Sequence, residues 1–153
     1  MRARKSIRIR GFDYSSFGPY FVTICTRDRH CVLGEVETDR VALSRYGLVV
    51  VGEIERLPAR LGVELDEFVV MPNHVHLIVG LGSRARQASP LRLGTVVGSF
   101  KAGTSRATGR SLWQRGYYDH VVRDEDDLAR VREYIATNPV RWALDPENPE
   151  CDS

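Results

Sequence analysis

The chain has 153 residues, 42% apolar and 27% charged, an ordinary balance for a folded globular protein and enough for one core without disulfides. Its three cysteines, Cys25, Cys31 and Cys151, are odd in number and lack C-x-x-C spacing, which argues against a disulfide framework or a cysteine zinc site and fits a reducing cytoplasm. No apolar run approaches the ~18 residues of a membrane span and no apolar h-region follows the basic start, so neither membrane insertion nor secretion is expected.

The net charge is only +2, but its distribution is uneven. Arg2, Arg4, Lys5, Arg8 and Arg10 crowd the start with no acid among them. A second acid-free stretch carries Arg84, Arg86, Arg92, Lys101, Arg106 and Arg110, while acids gather around Asp124 and in the tail over 145–153. Segregated basic segments are the footprint of a polyanion, although a charge run is also what a solvated face looks like. Of these cations, Arg2, Arg4, Lys5, Arg84, Arg86, Lys101 and Arg106 are the candidate nucleic-acid contacts.

In chain order, residues 1–19 read as a basic arm ending in an irregular loop, and Tyr20-Phe21-Val22-Thr23-Ile24-Cys25-Thr26 as a β-branched, aromatic strand. Arg27-Asp28-Arg29 follows as a turn. Ser44 is placed to cap a helix running to about Leu57, with Leu48, Val51 and Ile54 at three-residue spacing and Pro58 closing it. Gly62-Val63-Glu64-Leu65 begins a strand that Phe68 to Met71 continues or pairs with, and Pro72-Asn73 makes a turn or bulge.

After the next strand, residues 82–90 form a Gly/Ser/Arg/Pro-rich loop. Leu93, Val96, Val97 and Phe100 then mark a short amphipathic helix, with Gly103, Thr104, Ser105, Thr108 and Gly109 read as loop. Residues 113–122 read as a strand with aromatic entry, and Asp124 caps a final helix whose buried stripe is Leu128, Val131 and Ile135, ending at Asn138-Pro139. The order strand, helix, two strands, helix, strand, helix predicts one domain over 1–153, an α+β, ferredoxin-like (RRM-like) two-layer sandwich with an antiparallel sheet and helices on one face.

The strand His74-Val75-His76-Leu77-Ile78-Val79 carries the most chemistry. Alternation puts His74 and His76 on one face and Val75, Leu77 and Val79 on the other. Two neutral imidazoles held side by side on a strand can share a divalent metal, and they can equally be two partly buried histidines bonded to neighbours. On the last helix, Tyr134 and Asn138 are four positions apart and share a face. Singly, each has a plain structural role, Tyr134 as an amphipathic rim residue and Asn138 as a helix end.

Taken together, Met71-Pro72-Asn73-His74-Val75-His76 and Tyr134-Ile135-Ala136-Thr137-Asn138-Pro139 resemble the single-tyrosine HUH transposases, above all the REP-associated tyrosine transposases of the IS200-like superfamily. The likeness spans nearly the whole chain, through Trp113-Gln114-Arg115, Tyr117-Tyr118-Asp119-His120 and Pro139-Val140-Arg141-Trp142. It implies a metal-dependent endonuclease and strand transferase acting on single-stranded or hairpin DNA through a 5′-phosphotyrosine. His74 and His76 match the pair that holds Mg²⁺ or Mn²⁺, Tyr134 the nucleophile, and Asn138 a polar position that can complete the metal site. Related enzymes occur as homodimers with exchanged tyrosine helices and as monomers, and both remain open. His120 is the nearest candidate base by type, with a structural role as the plainer reading.

Two other classes compete. A non-catalytic RNA-binding module would suit the sheet and basic arms, but the strands lack the aromatic RNP pattern. A small-molecule metallohydrolase would want a third strong ligand, and the next alternating position is Ile78.

Overall fold

A computed structural model describes residues 18–81 and 92–144. Most of the expected basic arm, the loop over 82–90 and the acidic tail over 145–153 lie outside the described residues. The elements are β1 (Pro19–Cys25), a 3-10 turn (Arg27–Arg29), β2 (Gly34–Glu37), β3 (Arg40–Leu43), α1 (Arg45–Leu61), β4 (Glu64–Met71), β5 (His74–Gly80), α2 (Leu93–Thr108), β6 (Tyr118–Val121), α3 (Glu125–Thr137) and a second 3-10 turn (Trp142–Leu144).

The main sheet has the order β4-β5-β1-β6 with every pair antiparallel. β1, α1, β4, β5, α2 and β6 thus form the split βαβ arrangement of a ferredoxin-like α+β fold, as expected. Val22 and Ile24 of β1 and Val75, Leu77 and Val79 of β5 pack against Val50, Ile54 and Leu57 of α1 and Val96, Val97 and Phe100 of α2. Against the expectation of helices on one face, the third helix packs on the opposite face of the sheet. Leu128, Val131 and Ile135 of α3 bury themselves against Ile78 and Val122, with Phe21 and Val69 beside them. At about 1.5–3 kcal/mol for each fully buried aliphatic side chain, this stripe is the main hydrophobic force holding α3 down. All of β5 is buried, covered from both sides.

Three expectations are corrected. α1 does not stop at Leu57 but runs through Pro58 to Leu61, ending on Gly62 in the left-handed conformation (φ 73°) whose N–H bonds Pro58 O. Proline costs one hydrogen bond there, but its fixed φ is helical and the buried Leu57 keeps the last turns docked. α2 extends over the predicted loop because Gly103 is a packing residue: a Cβ there would stand 2.6 Å from Glu53 Oε1 of α1. Thr104 also fits inside, its hydroxyl donating to Phe100 O while accepting the indole N–H of Trp113 at 2.7 Å. The strand expected over 113–122 shrinks to β6, with Trp113 contributing a lone bridge to Thr26 and Gly116 turning the chain at φ 83°.

The β2-β3 hairpin was not foreseen. Cys25 is a buried thiol, whereas Cys31 is disulfide-bonded, against the expectation of none. Among the described residues no helix is long and apolar enough to cross a membrane.

Candidate active site

β1 and β5 pair Thr23 with His76 and Cys25 with His74, so these four side chains share the sheet face that α3 covers. His74 is 0% exposed and His76 4%. Their Nε2 atoms face one another at 3.0 Å, and the ring centroids are 4.5 Å apart. Each ring is held from behind. His74 Nδ1 donates to Asn73 Oδ1 at 2.8 Å, and His76 Nδ1 lies 2.8 Å from Thr23 Oγ1. Asn73 therefore fixes His74 in the tautomer that leaves its Nε2 as a lone pair aimed at His76. The Thr23 hydroxyl can donate or accept, so it suits His76 in either tautomer.

Two lone pairs at this separation repel, so something positive belongs between them, a proton carried by one ring or a cation. Two ligands about 2.1 Å from one ion and at right angles would be about 3.0 Å apart, so the spacing fits a shared divalent metal. Burial, and then the neighbouring His74, hold the His76 imidazole well below its ordinary pKa, in the neutral form a metal requires.

α3 begins where predicted. Asp124 Oδ1 accepts from the Asp127 N–H at 2.8 Å, and three acids sit in the first turn. Two polar ties supplement the apolar stripe. Arg132 forks onto Asp66 of β4, at 2.8 and 3.3 Å, where Asp66 is buried at an irregularity in the β4-β5 register. His120 Nε2 of β6 meets Asp127 Oδ2 at 2.9 Å.

Docked in this way, α3 lays Tyr134 edge-on to His76, with centroids 5.2 Å apart, and to Phe21 at 6.0 Å. Tyr134 is 37% exposed, so its phenol is accessible from outside. Eight residues later, in the second 3-10 turn, Trp142 lies against His74 with centroids 6.1 Å apart. The chain between Tyr134 and Trp142 thus crosses the histidine pair, with Asn138 midway.

Asn138 is buried, and its Oδ1 has no hydrogen-bond partner among the described residues. A buried carbonyl left unpaired costs about 1–3 kcal/mol, which a ligand would offset. Its helix-end role rests on the backbone alone, through the N–H to Ile135 O, and it keeps helical φ and ψ despite the following proline. Among the described residues no group of three or more His, Cys, Asp or Glu could hold a metal. A cation at the histidine pair would therefore take further ligands from Asn138 Oδ1, water or a substrate phosphate.

Of the expected DNA contacts, Arg2, Arg4, Lys5, Arg84 and Arg86 lie outside the described residues. Lys101 donates to Gln114 O and Gly116 O, which ties the loop before β6 and leaves its ammonium one N–H. Arg106, in the last turn of α2, is exposed. Thr23 and Asn73 were missed as orienting residues. Asn73, next to His74, could have been noticed, but nothing local pairs Thr23 with His76.

The fold and the face it presents define an α+β domain with an imidazole pair beneath a tyrosine helix. A family model described as transposase IS200 like matches residues 19–138. The chain belongs to the IS200-like transposase family, enzymes that act on DNA. It is 36% identical over 164 aligned positions to an uncharacterised protein of Haemophilus influenzae, covering 93% of this chain and 91% of that one. The REP-associated tyrosine transposase of Escherichia coli K12 is 24% identical over 136 positions, covering 84% of this chain and 70% of that one. Among solved structures, a REP-associated tyrosine transposase bound to a REP hairpin shares the fold with a TM-score of 0.67 at 22% identity, over 85% of this chain and 71% of that one.

Proposed function

We propose that this transposase nicks and rejoins single-stranded DNA, at hairpin-forming sites, through a covalent link to Tyr134. The observation that carries this reading is the edge-on contact of an exposed tyrosine with one of two imidazoles whose Nε2 atoms converge. The relative bound to a REP hairpin supports hairpin DNA as the substrate.

His74 Nε2, His76 Nε2 and Asn138 Oδ1 would hold Mg²⁺ or Mn²⁺, which supplies charge neutralisation at the scissile phosphate and the leaving oxygen. The Tyr134 oxygen attacks phosphorus and the bond to the 3′ oxygen breaks, giving a 5′-phosphotyrosine and a free 3′-OH. One ester replaces another, so a second 3′-OH can reverse the step without ATP. Asn73 and Thr23 keep the two imidazoles aimed, and α3 carries both the nucleophile and Asn138, so attack geometry and the ligand set move as one rigid piece.

The test uses a hairpin oligonucleotide with single-stranded flanks, labelled at either end. With Mg²⁺ or Mn²⁺ the protein should shift to a denaturation-stable adduct carrying only the fragment 3′ to the break, and EDTA should abolish it. An adduct carrying the other fragment, or cleavage with no adduct, would rule the reading out.

A further inference from the structure

On the α1/α2 side of the sheet, Arg45 and Arg110 stack on one ring. Arg45 Cζ lies 5.2 Å from the Tyr46 centroid and Arg110 Cζ 5.0 Å. The two cations are thus no farther apart than the ~10 Å screening length at moderate salt, where like charges still repel. Neither has a carboxylate partner among the described residues, although Arg56, Arg60, Arg130 and Arg132 all do. Both arginines are exposed, and beside them opens a pocket of about 240 Å³ lined by Arg45, Tyr46, Val49, Ala107 and Thr108. Arg45, and then Arg110, draws the Tyr46 phenol below its usual pKa.

This cluster is linked to the histidine pair by a short chain of contacts. Asn73, next to His74, accepts on its carbonyl from the Thr26 N–H and hydroxyl. Arg27 follows, its N–H bonding Leu112 O and its guanidinium bonding Ser111 Oγ, one residue from Arg110. The exposed Arg27 therefore stands on the route from the histidine end of β5 to Arg110.

We infer that Arg45, Tyr46 and Arg110 form a second DNA contact, in which the two guanidiniums grip a backbone phosphate of the strand beyond the cleavage site and the Tyr46 ring holds them in place. This rests on the reading of the protein as a DNA strand transferase, but it concerns binding rather than cleavage. A phosphodiester anion held by both guanidiniums relieves the repulsion between them, and planar guanidiniums are suited to phosphate oxygens.

The experiment measures affinity for the flanked hairpin across a salt series, in EDTA and in a Tyr134→Phe background so that nothing is cut. The double variant Arg45→Gln, Arg110→Gln should flatten the slope of log K against log salt by about 0.7–0.9, the value for one phosphate contact. Arg56→Gln, which removes a cation paired with Glu53, should leave the slope alone. Tyr46→Leu should weaken binding several-fold with little change in slope, and Tyr46→Phe should restore it. Calorimetry with inorganic phosphate should show no binding that depends on Arg45 and Arg110. An unchanged slope in the double variant, or tight free-phosphate binding without a slope change, overturns the inference while leaving the catalytic reading intact. If the wild type binds with the expected slope difference but forms no adduct, the catalytic reading falls and this contact stands. If the wild type does not bind DNA at all, both fall.

Discussion

Tyr134 meets His76 edge-on with ring centroids 5.2 Å apart, though one belongs to the last helix and the other to a central strand. That contact converts a tyrosine that by its position alone would be a rim residue into one standing over an imidazole pair. What keeps it there is the docking of α3, so the interactions that hold α3 bear on the chemistry as well as on stability.

The Asp66–Arg132 pair is the clearest case. Asp66 has a side chain 0% exposed, and removing its partner leaves a buried charge uncompensated. Arg132→Leu should cost about 3–5 kcal/mol in urea or thermal unfolding. An effect below about 1 kcal/mol would mean that Asp66 finds another partner.

Asp127 offers a pH test. Burial works against its charge, but the Arg123 N–H, the His120 hydrogen bond and the charges of His120 and Arg130 outweigh it, so its pKa lies below the ordinary 3.8. The unfolded chain then binds the proton more readily than the folded one, and the stabilisation is present above pH 3.8 and fades as pH falls through the folded value. Asp127→Ala should lose about 1–2 kcal/mol at pH 7 as its bonds at the helix start go. The gap from wild type should close on acidification. A gap that stays constant down to the acid transition would assign the loss to packing instead.

Asn138→Ala separates ligand from cap. The side-chain oxygen makes no hydrogen bond among the described residues and the cap runs through the backbone, so the variant should keep its melting temperature within about 2–4 °C. The Mn²⁺ concentration needed for half-maximal cleavage should rise at least several-fold. A metal titration that overlays the wild type would remove Asn138 from the ligand set.

Thr23→Val keeps the β-branched shape on β1 but removes the hydroxyl behind His76 Nδ1. Loss of such an orienting partner typically weakens metal affinity by about 10–100-fold. Calorimetric Mn²⁺ titration of protein without DNA reads this directly, and unchanged affinity would show that the His76 ring is oriented by packing against Phe21 alone.

Much of this was legible in the residues. His74 and His76 share a face because a strand alternates, and Asp124 announces α3 because its side chain can take an orphan N–H. The buried series Leu128, Val131, Ile135 even places Asn138 next at helical spacing, a polar residue where an apolar one would be expected. The hairpin β2-β3 was not legible, because two four-residue strands carry little alternation. Gly103 and Thr104 read as loop formers because the reasons for them, Glu53 on a neighbouring helix and the Trp113 indole, are tertiary. Register likewise hid Thr23 behind His76 and Asp66 beneath Arg132, and hid the placement of α3 on the face opposite α1 and α2.

The central claim is that Tyr134 forms the covalent bond to DNA. Its most direct test is digestion of the adduct with protease and nuclease, followed by mass spectrometry of the peptide that retains a nucleotide 5′-phosphate. The modified peptide should contain Tyr134, and Tyr134→Phe should bind the hairpin normally yet give no adduct. A nucleotide on Tyr117 or Tyr118 instead, or an adduct of normal yield from Tyr134→Phe, would contradict the account.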